Sequence, residues 1–286
     1  MAIKTSGALS LNEIHAEVGG TSESVVSLND TDLRGLTPAS GYSINSTSGT
    51  QISIGDFYGA SSAAVYVGAA ALSPTSHPNW DSSSEASPSI PGQNGDLVIL
   101  VHGSGSGMSV YHNDGIRIND SSALNTVATY ATSSTSAGTI NWGVYWWIKA
   151  SGQTNPYYAH YYDNYAGYGL SGGVMVFRNV TTLVGSATNY AGGLRTYNNP
   201  PSATASSTPK LWVAVGAHKT YSGSSASGAT PSGYTKPITD RTNSSPYSTG
   251  THMAYKIATN TTEDPGALTA YQNTYQYGRA ATLAFA

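Results

Sequence analysis

The chain of 286 residues has no cysteine. That excludes disulfides and thiolate metal sites, so stability must come from packing and hydrogen bonds. Charge is also scarce: 9% of residues are Asp, Glu, Lys or Arg, against about 25% in an average soluble protein. The surface is therefore built from Ser, Thr, Asn, Gly and Tyr, as in extracellular β-structured proteins that avoid strong nonspecific electrostatics. A net charge of −3 leaves no basic footprint for nucleic acid. No window approaches about 18 consecutive apolar residues, so no membrane insertion is expected. No long apolar run follows Lys4, so the start does not read as a secretory signal and synthesis in a cytoplasm is expected.

Helix signals are confined to the beginning. Ser10-Leu11-Asn12-Glu13 is echoed by Ser27-Leu28-Asn29-Asp30. In each, a serine is placed to cap a helix, and an acid three residues later sits where the helix dipole favours negative charge. The first helix is predicted over Leu11–Glu17, stopped by Gly19-Gly20, with Leu11, Ile14 and Val18 on one apolar edge. A second is predicted over Asn29–Arg34, carrying Leu33 and stopped by Gly35 and Pro38. A third short segment, Ile54–Tyr58, is closed by Gly59 and offers Phe57 and Tyr58 as an aromatic anchor. Helices this short do not persist alone in water and need a surface to lie on, either their own chain or a partner.

The run GALSLNEIHAEVGG, followed by SLNDTDLRGL and closed by ISIGDFYGAS, resembles the N-terminal segment shared by many virion structural proteins of marine tailed bacteriophages, cyanophages especially. In those proteins it precedes unrelated β-rich domains of tail, fibre or appendage components. The likeness covers about the first 60 residues. It implies a place in the virion, after synthesis in the host cytoplasm, and contact with other virion proteins through this segment. Leu11, Ile14, Val18, Leu28, Leu33, Phe57 and Tyr58 are the expected anchoring residues. The likeness brings no catalytic residues.

Residues 1–61 are accordingly read as the anchoring segment and 62–94 as a Pro/Ser-rich linker with a candidate first strand at Val65-Tyr66-Val67. Residues 95–286 read as all-β. Leu97–Val101 is a continuous apolar run, as in a strand covered on both faces. Ile140–Ile148, Gly173–Phe177, Leu211–Ala217 and Met253–Ala258 are further strands, and Thr269–Tyr277 with Ala280–Ala286 reads as a closing pair turned at Gly278. Gly-, Ser- and Asn-rich segments separate them. The predicted fold class is mainly β: an antiparallel β-sandwich, jelly-roll-like in the general sense, with a small N-terminal segment of short helices. GDLVILV, LWVAVGA, PSGYT at Pro231–Thr235, MAYKIAT and ATLAFA, in that order, look like a β-sandwich module recurrent in phage and bacterial surface proteins. That likeness implies a fold and a surface role.

Catalytic and metal patterns are weak. His102-Gly103-Ser104-Gly105-Ser106-Gly107 superficially resembles a hydrolase oxyanion loop, but no nucleophile elbow entering a helix is present, and it reads as a glycine-rich turn. Asp114, Asn119 and Asp120 do not match a defined calcium loop. Asp163, Asp240, Glu263 and Asp264 are the carboxylates weighed for glycoside cleavage, which needs two acids flanking one bond; Glu263-Asp264-Pro265-Gly266 reads better as a hairpin turn. The seven histidines are scattered. Neither enzyme activity, nor a metal, nor a cofactor is expected.

Recognition has a stronger candidate. Asn155–Tyr168, NPYYAHYYDNYAGY, holds Tyr157, Tyr158, Tyr161, Tyr162, Tyr165 and Tyr168, six of the 21 tyrosines. Tyrosine gives a flat apolar face and a hydroxyl at low entropic cost, which suits sugar stacking and protein interfaces alike. His160 and Asp163 add hydrogen bonds. The competing reading puts these rings in the core or in a seam between identical subunits. Tyr190, Arg195 and Tyr197 form a smaller cluster with the same ambiguity. Two expectations follow: a homo-oligomeric appendage (a trimer if a fibre) that binds host-surface polysaccharide, or a capsid-decoration, neck or tail piece with protein contacts alone. A polysaccharide-degrading tail enzyme is a distant third.

Overall fold

The computed structural model describes residues 3–18, 25–36, 38–39, 41–60, 62–71, 84–86, 92–106, 115–117, 125–131, 139–150, 157–160, 170–191, 197–221, 229–244, 247–270 and 276–286. They form two compact units, Met1–Val65 and Tyr66–Ala286.

The N-terminal unit contains α1 (Leu11–Glu17), α2 (Thr31–Arg34) and a 3₁₀ turn, Ile54–Phe57. Helix α1 starts with a capping box: the Glu13 N–H donates to Ser10 Oγ (3.2 Å), and the Ser10 N–H donates back to Glu13 Oε2 (2.7 Å). It ends at Val18, whose N–H turns back onto the His15 and Ala16 carbonyls. The echo at Ser27 forms a related turn, with the Ser27 N–H on Asp30 Oδ2 at 2.9 Å, but here the Ser27 hydroxyl accepts from the Asn29 N–H at 3.1 Å. Yet α2 begins only at Thr31, two residues later than predicted, because Asp30 occupies the extended N-cap position. A third copy, missed in the sequence, lies at Ser53, whose N–H donates to Asp56 Oδ2 at 2.7 Å. Serine–acid turns thus open α1 and the 3₁₀ segment, and a third precedes α2.

These segments cover one another. Ile3, Ile14, Leu33, Leu36, Phe57 and Ala60 make a buried cluster, flanked by half-buried Leu9, Leu11, Val18, Val26, Leu28, Ile44 and Ile52. The ends are tied where the Ile3 N–H donates to the Ala60 carbonyl (2.8 Å) and the Gly59 N–H to the Lys4 carbonyl (3.1 Å). Arg34, 4% exposed, fastens the irregular stretch before the 3₁₀ turn. Its Nη1 donates to the carbonyls of Asn45 (2.6 Å) and Thr47 (2.9 Å), and its Nη2 to that of Thr50 (2.9 Å). One guanidinium thereby supplies donors to three carbonyls that no helix or sheet serves.

The second unit is built from strands β1 (Val65–Ala71), β2 (Ser84–Ala86), β3 (Leu97–Ser106), β4 (Gly115–Arg117), β5 (Asn125–Ala131), β6 (Thr139–Ile148), β7 (Tyr157–His160), β8 (Leu170–Arg178) and β9 (Leu183–Ala191). It continues with β10 (Tyr197–Asn198), β11 (Ala203–Thr204), β12 (Leu211–Tyr221), β13 (Thr235–Ser244), β14 (Tyr247–Ile257), β15 (Thr262–Glu263), β16 (Thr269–Ala270) and β17 (Gln276–Phe285). The first large sheet has the order β1-β8-β3-β6-β5 and the second β13-β14-β12-β17-β9. They pack face to face: β3 lies against β12 and β14, β8 against β13 and β14, and β6 against β12 and β17.

The expected antiparallel β-sandwich is the observed architecture. It is jelly-roll-like in having two layers, but the chain completes the first sheet before crossing to the second between β8 and β9. The crossing uses Asn179 at φ 67°, a left-handed conformation that asparagine tolerates better than most residues.

Alternation along the strands divides the core. Leu97, Ile99 and Val101 face the second sheet, while Val98 and Leu100 join Tyr145, Trp147, Val174 and Val176 on the opposite face. Both faces are buried, so β3 reads as an unbroken apolar run. Between the sheets, Trp146 meets Phe285 edge-on (5.7 Å between centroids), and Tyr255 stacks on Tyr66 (4.7 Å) beside Phe177. The buried hydroxyls of Ser171 and Thr251 bridge the layers at 2.8 Å. The outer face of the second sheet carries Trp212, Ala214, Ala254 and Ala284, covered by Ala203, Ala205, Tyr234 and Leu268.

Two sequence expectations are corrected. His102–Ser106 is not a turn but the end of β3. A Cβ on Gly103 would fall 2.7 Å from the Ala217 Cβ, so the missing side chain lets the sheets close together there. Gly278 is not a hairpin corner either; β17 runs straight through it, with Gly278 opposite His218 on one side and Ala191 on the other. The candidate first strand at Val65–Val67 lies in β1, at one edge of the first sheet. Among the described residues no helix is long and apolar enough to cross a membrane.

Candidate functional site

The described part of the tyrosine-rich segment, Tyr157–His160, falls on a strand of its own small sheet. Tyr157, Tyr158 and His160 lie in β7, the middle strand of the order β2-β7-β4. Tyr158 has Ala86 opposite it on one side and Ile116 on the other; His160 pairs with Ser84. Tyr161, Tyr162, Asp163, Tyr165 and Tyr168 lie outside the described residues. Of the smaller cluster, Tyr190 is in β9 opposite Arg279 and Tyr197 in β10, while Arg195 lies outside the described residues. The backbone thus holds the first part of the candidate surface extended, between two short strands that leave successive residues on alternate faces.

The seven expected anchoring residues converge in the N-terminal unit. Ile14, Leu33 and Phe57 have no exposed surface within it, and Leu11, Val18 and Leu28 pack half-buried against them. Tyr58 donates its hydroxyl to the Gly7 carbonyl and sets its ring 6.4 Å from that of Tyr42. Within the unit Ile14, Leu33 and Phe57 form the core rather than the surface. The large apolar side chains this unit leaves exposed are Val25, Tyr42, Ile54 and Val65.

Two described carboxylates of the sandwich, Asp96 and Glu263, are held by cations. Asp96, 1% exposed, takes a bidentate pair from Arg178, Nε to Oδ1 at 2.9 Å and Nη2 to Oδ2 at 3.1 Å, plus the Gln93 N–H at 2.8 Å. Glu263 receives Lys256 Nζ on both oxygens (2.8 and 2.9 Å) and Asn260 Nδ2 at 2.6 Å. The Asn260 carbonyl in turn accepts from Trp212 Nε1 at 3.0 Å. Lys256 also lies 5.8 Å from the centre of the Tyr234 ring, whose phenol is raised well above its ordinary range by burial and by the Glu263 carboxylate.

Glu263 is also not part of a hairpin. It pairs with Ala203 in β15, and the turn at Gly266 (φ 78°) leads to a strand with a different partner. Asp264 is exposed; the Asp240 side chain and all of Asp114, Asn119, Asp120 and Asp163 lie outside what is described. Among the described residues there is no group of three or more His, Asp or Glu able to hold a metal ion.

No protein-family model, curated protein or solved structure matches this chain. Its functional reading rests on its own residues.

Sequence reasoning missed the ion pairs and a histidine pair. Asp96 and Arg178 are joined by the β3–β8 register, and Lys256 and Glu263 by the return of β15 over the second sheet. His218 and His252 come side by side because β12 and β14 are neighbours, with their ring centroids 5.1 Å apart. Their strand register was the missing information. The one local signal, a glycine placed to face each histidine, is readable only once strands are aligned.

Proposed function

We propose that this chain is a tailed-bacteriophage virion component, a tail fibre or appendage protein. Its N-terminal unit attaches it to the particle and its β-sandwich projects to bind a host-surface glycan through the tyrosine-rich segment. One observation carries the reading: the segment that resembles phage virion N-termini is a compact unit with its own apolar core, separate from the low-charge sandwich that follows. A folded handle of that kind keeps a fixed surface for a neighbouring virion protein. In this reading the docking surface is not the buried Ile14, Leu33 and Phe57 but what they hold in place, including exposed Tyr42 and Ile54. Association into a homo-oligomer, a trimer in a fibre, places several tyrosine segments together and multiplies weak sugar binding. The reading is of binding without turnover.

Antibody labelling of intact particles tests placement. Label at the tail is expected; label over the head surface would replace this reading with a decoration protein, and its absence from particles would overturn both. Changing Tyr161 and Tyr162 to alanine should abolish adsorption to host cells without loss of the protein from particles. Unchanged adsorption would remove the glycan role. Release of reducing sugar from host polysaccharide by the purified chain would make it an enzyme instead.

A further inference from the structure

His218 and His252 lie on the outer face of the second sheet, in the same rows as Trp212, Ala214 and Ala254. Their rings are stacked, 5.1 Å between centroids with 11° between planes, and they are 2% and 1% exposed. The sheet is cut away to seat them. His218 has Gly250 opposite on β14 and Gly278 opposite on β17, and His252 has Gly216 opposite on β12. A Cβ on Gly250 would fall 2.2 Å from His218 Cε1, so that glycine is the floor on which the ring rests.

Among the described residues, neither ring nitrogen of His252 has a hydrogen-bond partner. A neutral imidazole already gives up hydration for its donor and acceptor in such a place, and an imidazolium would bury a charge with two unmatched donors. The described charged and titratable neighbours would not relieve it. His218 faces it from β12. Lys236 approaches from β13, its ammonium donating to the carbonyls of Ala229 (2.7 Å) and Leu268 (3.5 Å). Thr239, opposite His252 on β13, brings no charge. On β17, Arg279 pairs with Ala217 and belongs to the other face by alternation. Tyr197 is the titratable residue of β10, which packs against β12 and β17. Glu263, at the far end of the same face, is already held by Lys256. Burial first, then His218 and Lys236, hold the His252 imidazole well below the ordinary histidine range.

We propose that the His218–His252 pair is an acid-operated weak point, which keeps the sandwich closed at neutral pH and loosens its second sheet when a proton enters. Elsewhere on that face Trp212, Ala214, Ala254 and Leu268 show what a purely apolar filling looks like. A leucine at position 252 would do the same. Because the folded form resists the proton and the unfolded form accepts it near pH 6.5, stability is constant above that pH and falls below it. Each proton so excluded changes the folding equilibrium by up to about tenfold per pH unit.

The test is denaturant unfolding of the full chain at pH 7.5, 6.5, 5.5 and 5.0, followed by tryptophan fluorescence. All five tryptophans lie beyond residue 65 and so report the sandwich alone. The native chain is expected to lose about tenfold in folding equilibrium constant per pH unit below 6.5. His252→Leu should remove about one proton's worth of that slope whatever its stability at pH 7.5, and His252→Met serves if the leucine variant does not fold. Histidine carbon-13 NMR of the unaltered chain should find the His252 ring neutral down to pH 5. Equal slopes in native chain and variant, or a His252 signal titrating near 6.5 in the folded protein, would overturn the proposal.

Discussion

The two units of this chain solve the same problem with different means. The N-terminal unit spans 65 residues and has a single small apolar cluster, so much of its order comes from polar devices: three serine–acid turns and one guanidinium spread over three carbonyls. The sandwich has residues buried on both faces of its central strands and needs few such devices within its sheets. Size explains the difference. A small unit buries a smaller fraction of its surface, so each polar contact is a larger share of a slim margin, whereas a large core is sensitive chiefly to volume. The comparison also separates two kinds of local rule: capping, which acts within four residues, and strand pairing, which acts across the chain.

The sharpest way to break the comparison is to remove one buried ring from each unit. Phe57→Ala and Phe177→Ala should each cost about 3–5 kcal/mol. Hydrogen exchange should show the first abolishing amide protection across residues 3–60, while the second lowers the sandwich's unfolding midpoint and leaves it folded at 25 °C. Equal, partial effects in both would mean that the small unit has more margin than its core implies.

Polar anchors come next. Arg34→Ala should cost about 2–4 kcal/mol, because the carbonyls of Asn45 and Thr50 lose the Arg34 donor and that of Thr47 keeps only the donors of Thr50. Asp96→Asn should cost less, about 1–3 kcal/mol, since the Arg178 side chain is 39% exposed and solvent screens the pair. Exchange of amides 45–50 and sandwich denaturation read the two.

Gly250→Ala and Gly143→Ala sharpen the sandwich side. Each places a methyl against a histidine ring, His218 at 2.2 Å and His102 at 2.4 Å, and should cost about 1–3 kcal/mol in denaturant unfolding. The smallest change is Ser10→Ala, about 1 kcal/mol, seen as fraying of α1 in amide exchange. Acid acts on the same cap. The Lys4 ammonium, then the Ser10 backbone and hydroxyl, hold the Glu13 carboxyl at about 2, so this contribution is present above pH 4.5 and is lost as pH falls towards 2. Exchange in α1 should rise over that window and stay flat above it.

Legibility followed the same division. Helix α1 was readable to the residue because Ser10, Glu13 and the apolar spacing all agree within seven positions. The start of α2 was misread because Ser27 and Asp30 make the turn without continuing into helix. Central strands β3, β6, β8 and β12 were legible from their apolar runs. Edge strands β9 and β13 were not: LVGSATNYA is small and polar, and TKPITDRTNS carries charge and a proline at its register shift, as an edge that must avoid further pairing does. Gly103 and Gly278 were mistaken for turn residues because a sequence does not say whether a missing side chain serves a bend or a close approach. The buried pairs Asp96–Arg178, Lys256–Glu263 and His218–His252 depend on register and were out of reach.

The central claim is that attachment resides in the folded N-terminal unit while the sandwich stands apart from it in function. The most direct measurement is the amount of this chain in purified particles when it carries Phe57→Ala or Phe177→Ala. The account predicts that Phe57→Ala is missing from particles although the soluble chain keeps its β-sheet circular dichroism, and that Phe177→Ala is incorporated. Incorporation of Phe57→Ala at the native level would contradict it.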